Sequence, residues 1–287
     1  MPAKLLERGG TLGRYTVECV LGKGGMSVVY KVRDPRTMMP YAAKVMNADL
    51  MRERDFVRRF RHEAKTARAL KHMNIVHAFA LKRWEDTCFY IMELVEGGPL
   101  DELLKARGAY ELKRALVIVR DVAAALDYVH SKNYVHRDIK PANVLVRSDD
   151  HVKLIDFGLS QKWGTVKRTR SGHVMGSAKY MAPELIQGSH AHPETDMYAL
   201  GAMAYELVTG KPPFDADNGA VLMDMHLYMK HRPLVDVMKG ADPNLSRLID
   251  KMLVKDSSQR LRSARLVHGW LDFYLANGWF ADLPKGI

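Results

Sequence analysis

The residue pattern predicts an α+β fold: a small β-rich region carrying one long helix, then a larger, mainly helical region. Three observations lead there. Strand-like alternation runs through residues 14–91 and is interrupted once by helical spacing. A glycine- and proline-bearing break, Glu96-Gly97-Gly98-Pro99, has the form of a hinge. Beyond it, most periodic segments repeat at helical spacing. At 287 residues the chain exceeds the usual size of a single core, so its length admits two lobes or one large domain.

The first predicted strand, 15–21, alternates loosely and runs into Gly22-Lys23-Gly24-Gly25-Met26-Ser27, after which 28–32 resumes the pattern; this is a glycine-turned hairpin. Residues 41–46 form a third strand. Over 56–70, apolar or small residues recur at helical spacing with Arg58, Arg59, Arg61 and Lys65 between them, and 89–92 is a later strand. After the break, helices are predicted over 100–105, 112–130, 196–209, 220–230, 245–253 and 263–276, with short strands at 144–146 and 152–154. The stretch 159–179 is long, polar and basic with little periodicity, which marks it as functional or mobile rather than core. There is no internal repeat and no low-complexity run.

Composition narrows the classes. A 47% hydrophobic content with 27% charged residues reads as globular, not disordered. Cys19 and Cys88 lie far apart with no CxxC spacing, so neither a disulfide framework nor a zinc site is indicated, and a reducing, cytoplasmic setting is expected. Nothing in 1–10 has the apolar core of a signal peptide, and no stretch of about 18 apolar residues is available to cross a bilayer. The excess of 44 basic over 33 acidic side chains gives +11, which raises a nucleic-acid reading. The bases are spread along the chain, however, and their concentrations at 52–61 and 162–179 lack interleaved aromatics. A solvated basic face that also attracts acidic substrates is the expectation, with no nucleic-acid partner.

Two strings carry the chemistry: His136-Arg137-Asp138-Ile139-Lys140-Pro141-Ala142-Asn143, then Asp156-Phe157-Gly158. On one loop Asp138 can orient an attacking hydroxyl while Asn143 holds a metal, and Asp156 supplies the other metal ligand; together they describe apparatus for moving the γ-phosphoryl group of ATP. The glycine-rich turn alone is weak evidence. A dinucleotide fold needs a helix straight after the turn, whereas a strand follows here; a Walker A loop ends Gly-Lys-Ser/Thr, whereas Gly24 follows Gly22-Lys23. What remains is either a plain hairpin or a flap whose backbone N–H groups approach phosphates closely. Lys44, inside an apolar strand, is costly to bury without a partner. Glu63 on the long helix is the natural one. An exposed ion pair contributes only about 0–1 kcal/mol, so this pair reads as a switch set by the helix rather than as a stabiliser.

These residues resemble the eukaryotic-type (Hanks-type) protein kinase family over about 14–275, with wording similar to its bacterial Ser/Thr branch, whose flap commonly reads Gly-x-Gly-Gly-Met-Ser as Gly22 to Ser27 do. Ser27 replaces the third glycine of the general pattern. The resemblance implies a bilobal, protein-kinase-like fold: tail 1–13, catalytic domain 14–280 (N-lobe 14–92, hinge 93–98, C-lobe 99–280) and tail 281–287. It implies ATP and Mg²⁺ (or Mn²⁺) as cofactors. Lys44, Glu63, Asp138 and Lys140 are the implied catalytic set, and Asn143 and Asp156 the metal ligands. ATP would meet the flap at Leu21, Gly22, Lys23, Gly24, Gly25, Met26 and Ser27. Adenine would lie between the lobes, with Val29 and Ala42 above, Leu145 below, backbone groups of Glu93 and Val95 at its edge and Met92 as gatekeeper. Pro99 departs from the family, since many members place a ribose-reaching polar side chain there.

By the same resemblance Glu184, in Ala182-Pro183-Glu184, closes the activation segment and pairs with Arg260, Asp196 braces the catalytic loop, and Phe157 and Gly158 complete the metal-binding turn. Lys140, with Ser177 in place of the usual threonine, implies Ser/Thr rather than Tyr specificity. Thr169 and Ser171 match activating phosphosites and Thr165 is a third candidate, with Arg137, Arg59 and Lys162 as a cluster able to receive the phosphate. Implied partners are protein substrates with Ser/Thr acceptors, and the first lobe could form a homodimer for autophosphorylation in trans. The alternative is a pseudokinase acting as a binding or scaffold module, disfavoured because Lys44, Asp138, Asn143 and Asp156 are all present. A small-molecule phosphotransferase has no use for Ala182-Pro183-Glu184. His190 and His192 read as unliganded loop histidines, His136 as structural beside Phe157, and Met223, Met225 and Met229 as core or docking surface.

Overall fold

The computed structural model describes residues 5–158, 160–162 and 178–278. These divide into two compact units, one ending at Glu96 and taking in Asp156, the other running from Gly97 to Ile155 and resuming at Ser160. As the sequence predicts, the first is β-rich with one long helix and the second is mainly helical.

The first unit is built on strands β1 (Thr11–Leu12), β2 (Tyr15–Lys23), β3 (Ser27–Arg33), β4 (Pro40–Met46), β5 (Ala78–Trp84) and β6 (Thr87–Met92), with helix α1 (Arg54–Ala69) between β4 and β5. The sheet is antiparallel in the order β1-β2-β3-β4-β6-β5. Alternation places Tyr15, Val17, Tyr30, Val32, Ala43, Val45, Phe89 and Ile91 in one core, with Tyr15 edge-on to Phe89 at 6.5 Å. Leu12, only 1% exposed, joins that core, and the sheet begins at Thr11, three residues before the expected start at Arg14. On α1, the buried residues Phe60, Glu63, Ala64 and Ala67 form a stripe at three- and four-residue spacing that faces β5. Strand β5 escapes a reading by alternation because it lies at the edge of the sheet: Phe79 is exposed, and Ala78 is its one fully buried residue.

The second unit pairs β7 (Gly97–Pro99) with β9 (Val144–Arg147), which pairs in turn with β10 (Val152–Leu154); β8 (Tyr134–Val135) pairs with β11 (Gln161–Lys162). The residues Gly97-Gly98-Pro99, expected as part of a hinge, are therefore a short strand. A Cβ on Gly97 would lie 2.0 Å from the carbonyl oxygen of Val146, so only glycine permits this approach.

Its helices are α2 (Leu100–Arg107), α3 (Leu112–Ser131), α4 (Pro183–Ile186), α5 (Pro193–Thr209), α6 (Gly219–Tyr228), α7 (Leu234–Val237), α8 (Pro243–Met252) and α9 (Ala264–Asn277). Helix α5 is apolar on nearly every face and is buried at its centre, with α3 and α8 packed on it and α9 on α3. It stops at Gly210, whose φ of 76° is left-handed. Helix α8 starts at Pro243, capped by the Asp242 carboxylate, which accepts the N–H of Asn244 at 2.7 Å.

Candidate active site

In the first unit, four elements bring together side chains scattered through the sequence. Lys44 on β4 donates from Nζ to Glu63 Oε1 on α1 at 2.5 Å and lies 3.7 Å from Asp156 Oδ2. Directly across the sheet from Lys44 stands Tyr90, whose hydroxyl donates to the same Glu63 oxygen at 2.5 Å. Burial pushes the Lys44 ammonium toward neutrality, but Asp156 and Glu63 outweigh it and hold its pKa above the ordinary value. Burial raises the Glu63 carboxyl, and Asp156 adds to this, while Lys44 and the Tyr90 hydroxyl oppose it. Tyr90 itself is pushed well above its usual value, by burial first and then by Glu63, so it remains a donor.

Asp156 holds a left-handed φ of 65°, and its Oδ1 accepts the N–H of Gly158 at 3.1 Å. A Cβ on Gly158 would sit 3.0 Å from Asp156 Oδ1 and 3.3 Å from Glu63 Oε2, so glycine keeps the space in which these two carboxylates are arranged. Phe157 is buried.

The flap spans the end of β2 and the start of β3. Gly24 N–H donates to the Ser27 carbonyl at 2.8 Å, and Asn47 holds the tip, its N–H on the Met26 carbonyl at 2.9 Å and its Nδ2 on that of Gly25 at 3.0 Å. Leu21, Lys23 and Met26 are exposed, while Ser27 is buried. A Cβ at Gly22 or Gly25 would meet nothing within 4 Å, so internal crowding does not explain either glycine. Val29 lies opposite Lys44, and buried Ala42 opposite Met92. Glu93 commits its N–H to the His77 carbonyl at 3.0 Å and its carboxylate to the His77 N–H at 2.8 Å, so a backbone contact from this residue must use its carbonyl. Val95 is half-buried.

In the second unit the catalytic string is held from below by Asp196 at the start of α5. Its two oxygens accept the N–H groups of Arg137 at 2.8 Å and His136 at 2.9 Å, and His130 Nε2 at 2.8 Å. Burial pushes this carboxyl up, yet the contacts to His130, His136 and Arg137 outweigh it and hold it below the ordinary range. The loop needs the brace, since Arg137 adopts a φ of 72°. His136, fully buried, accepts the Asp138 N–H at Nδ1 (3.3 Å) and directs Nε2 to the Ile155 carbonyl (3.1 Å), which assigns its proton to Nε2.

Above this brace, Asp138 Oδ2 accepts Lys140 Nζ at 2.7 Å and Asn143 Nδ2 at 2.9 Å, and the same Asn143 amide also donates to the Asp138 carbonyl at 2.7 Å. With Nδ2 fixed on Asp138, the Asn143 carboxamide oxygen is the acceptor this side chain offers a cation. Leu145 lies on β9 opposite Pro99.

Farther along, Arg260 spends all five of its N–H donors: two on Glu184 (2.8 and 2.9 Å) and one each on the carbonyls of Val254, Glu194 and Lys255. Burial raises the Glu184 carboxyl, but Arg260 and Thr195 bring it below the ordinary value. The candidates Thr165, Thr169, Ser171 and Ser177 lie outside the described residues, as does the Lys162 side chain. Arg59 stacks its guanidinium 5.9 Å over the Phe56 ring. His192 lies at the start of α5, its N–H donating to Thr195 Oγ1 at 3.1 Å. Sequence reasoning passed over Tyr90 and His130; strand register marks the first, because only pairing shows that it faces Lys44.

A family model described as the protein kinase domain matches residues 15–271. The chain is 36% identical over 256 residues to serine/threonine-protein kinase PknA of Mycobacterium tuberculosis, covering 88% of this chain and 59% of that protein. It is 34% identical over 252 residues to serine/threonine-protein kinase PrkC of Bacillus subtilis (88% and 39%) and 35% identical over 265 residues to serine/threonine-protein kinase PknJ of Mycobacterium bovis (90% and 45%). The matched region thus spans less than two thirds of these curated relatives. With a β-rich unit carrying the lysine–glutamate pair and a helical unit carrying the aspartate loop, this chain belongs to the protein kinase domain family.

Proposed function

We propose that the chain is a protein-serine/threonine kinase that transfers the γ-phosphoryl group of ATP to hydroxyls of protein substrates. The observation that carries this reading is the Asp138 carboxylate, held on one oxygen by both Lys140 and Asn143. A carboxylate fixed in this way orients an incoming serine or threonine hydroxyl and accepts its proton, while Lys140 stands ready to offset charge on the transferred group. Lys44, kept cationic by its two carboxylates, is suited to the α- and β-phosphates. Gly22 and Gly25, with open space where a Cβ would project, suit close backbone approach to phosphates. Asp156 and the Asn143 carboxamide each offer a hard oxygen donor of the kind Mg²⁺ takes, and Mg²⁺ when bound would neutralise phosphate charge.

The catalytic domain would occupy 14–280, with the hinge at 93–98. Phosphorylation at Thr169, with Ser171 and Thr165 as further acceptors, would order the activation segment through Arg137 and favour the Lys44–Glu63 pair. A cytoplasmic setting fits the free cysteines Cys19 and Cys88; among the described residues no helix is long and apolar enough to cross a membrane. A homodimer would serve autophosphorylation in trans.

The test is intact mass with phosphopeptide mapping after incubation with Mg-ATP, alongside Asp138→Asn. Phosphate on serine or threonine in the parent and a rate lower by about 10²–10⁴ in Asp138→Asn are expected. ATP binding with no transfer to itself or to a generic protein substrate would overturn the reading. Unchanged specific activity in Thr169→Ala would remove the activation-segment mechanism alone.

A further inference from the structure

The second unit has an open cleft of about 620 Å³ formed by the end of α6, the connection into α7, and α8. Its charge is one-sided. Lys230, Arg247 and Lys251 line it, and among the described residues none of the three has an ion-pair partner. Arg247 and Lys251 stand one helical turn apart on α8, where like charges repel. The acidic side chain in the lining, Asp250, is already bound by His231 Nε2 at 2.7 Å. A further cation, Lys255, is turned inward: its Nζ lies 4.1 Å over the Phe214 ring and donates to the Tyr198 hydroxyl at 3.2 Å.

The rim is apolar and exposed, with Tyr228, the last residue of α6, 77% accessible and Met229, which follows it, 51% accessible. Their exposure leaves aromatic and thioether surface in water beside uncompensated positive charge. A cleft encloses a peptide side chain better than it meets the plane of a bilayer. For this cleft, lined by these cations, an acidic segment is a better electrostatic match than a second copy of a chain with a net charge of +11.

We propose that this cleft is a docking site for an acidic segment of a partner protein, with Lys230, Arg247 and Lys251 receiving carboxylates and Tyr228 and Met229 receiving an apolar side chain between them. The occupant follows from charge complementarity and from the mixed lining, which matches a peptide carrying both acids and a hydrophobic anchor. Docking here is separate from phosphoryl transfer, since none of the lining residues belongs to the catalytic set.

The probe is a short fluorescein-labelled peptide of glutamates around a central Leu-Phe pair, titrated against the full chain by fluorescence anisotropy. Binding should weaken about tenfold or more in the double variant Arg247→Glu, Lys251→Glu, weaken with added salt, and fall in Tyr228→Ser. Phosphorylation of a generic short peptide should be unchanged in the same variants, and their melting temperatures should match the parent because the altered residues lie at the surface. A matched control, Arg36→Glu with Arg52→Glu, makes the same change in net charge on the first unit. Equal loss in that control would overturn the proposal in favour of net charge alone. Overturning it as well would be no binding by the parent, or capture of phosphatidylserine vesicles but not peptide by the parent with loss in the cleft variant.

Discussion

Glu63 accepts two donors on one oxygen, and the second of them, Tyr90, sets how firmly the carboxylate stays ionised. Hydrogen bonds to a charged, buried group are worth about 1.5–3 kcal/mol. Tyr90→Phe should therefore lower kcat by about tenfold, with the fold intact. It also removes an interaction that lowers the Glu63 pKa, so the acidic limb of the kcat–pH profile should move to higher pH. Superimposable limbs for parent and Tyr90→Phe would show that the hydroxyl only fills space. At this scale the sequence was legible wherever a motif fixes a residue type at a fixed distance: Asp138, Lys140 and Asn143 share one loop and meet in one set of bonds. Tyr90 was illegible because its partner sits 27 residues away and is brought near by strand register and helix packing.

At the scale of elements, α5 shows how packing overrides propensity. Replacing a helical glycine with alanine ordinarily favours the helix by about 1 kcal/mol. At Gly201, however, the new Cβ would lie 2.7 Å from Met252 Cβ, an atom rooted in the backbone of α8 that cannot swing aside. Overpacking of this kind costs about 1–3 kcal/mol and should win. Gly201→Ala is expected to lower the urea midpoint without changing the slope, and a raised midpoint would mean that α8 shifts freely. The helices were readable because three- and four-residue spacing is a strong signal, as in α3 and α8. Strand β5 was not, since an edge strand buries too little to alternate, and neither was β7, a strand made of two glycines and a proline.

At the scale of the whole molecule, His226 makes stability fall on mild acidification, against the buried Glu63 and Glu206, whose raised values act the other way nearer the carboxylate range. Burial, first, and the Lys255 charge push the His226 pKa down from 6.5 to about 4, so the unfolded chain takes up a proton that the folded chain refuses. That contribution is intact above about pH 6.5 and is lost as pH falls toward 4, up to about 3 kcal/mol. Asp196 and Glu184, both held below the ordinary carboxylate range, stabilise the fold above that range and lose this contribution lower still, as pH falls through their depressed values. Unfolding free energies measured by urea between pH 7.5 and 4.5 should thus decline from about pH 6.5, and His226→Gln should flatten that decline. An equal decline in both proteins would place the acid sensitivity elsewhere.

The five bonds of Arg260 also bear on how the protein is made. They join Glu184 and Glu194 to a guanidinium that leaves the ribosome 76 residues after Glu184. Until then, Glu184 has no counter-charge for its place in the interior, and the helical unit cannot close around it at low cost. A nascent chain arrested so that α8 has emerged but Arg260 has not should remain sensitive to protease across 178–252, whereas one arrested far enough beyond Arg260 for it to emerge should become protected. On this expectation, folding of the unit would wait on a side chain encoded late in the sequence.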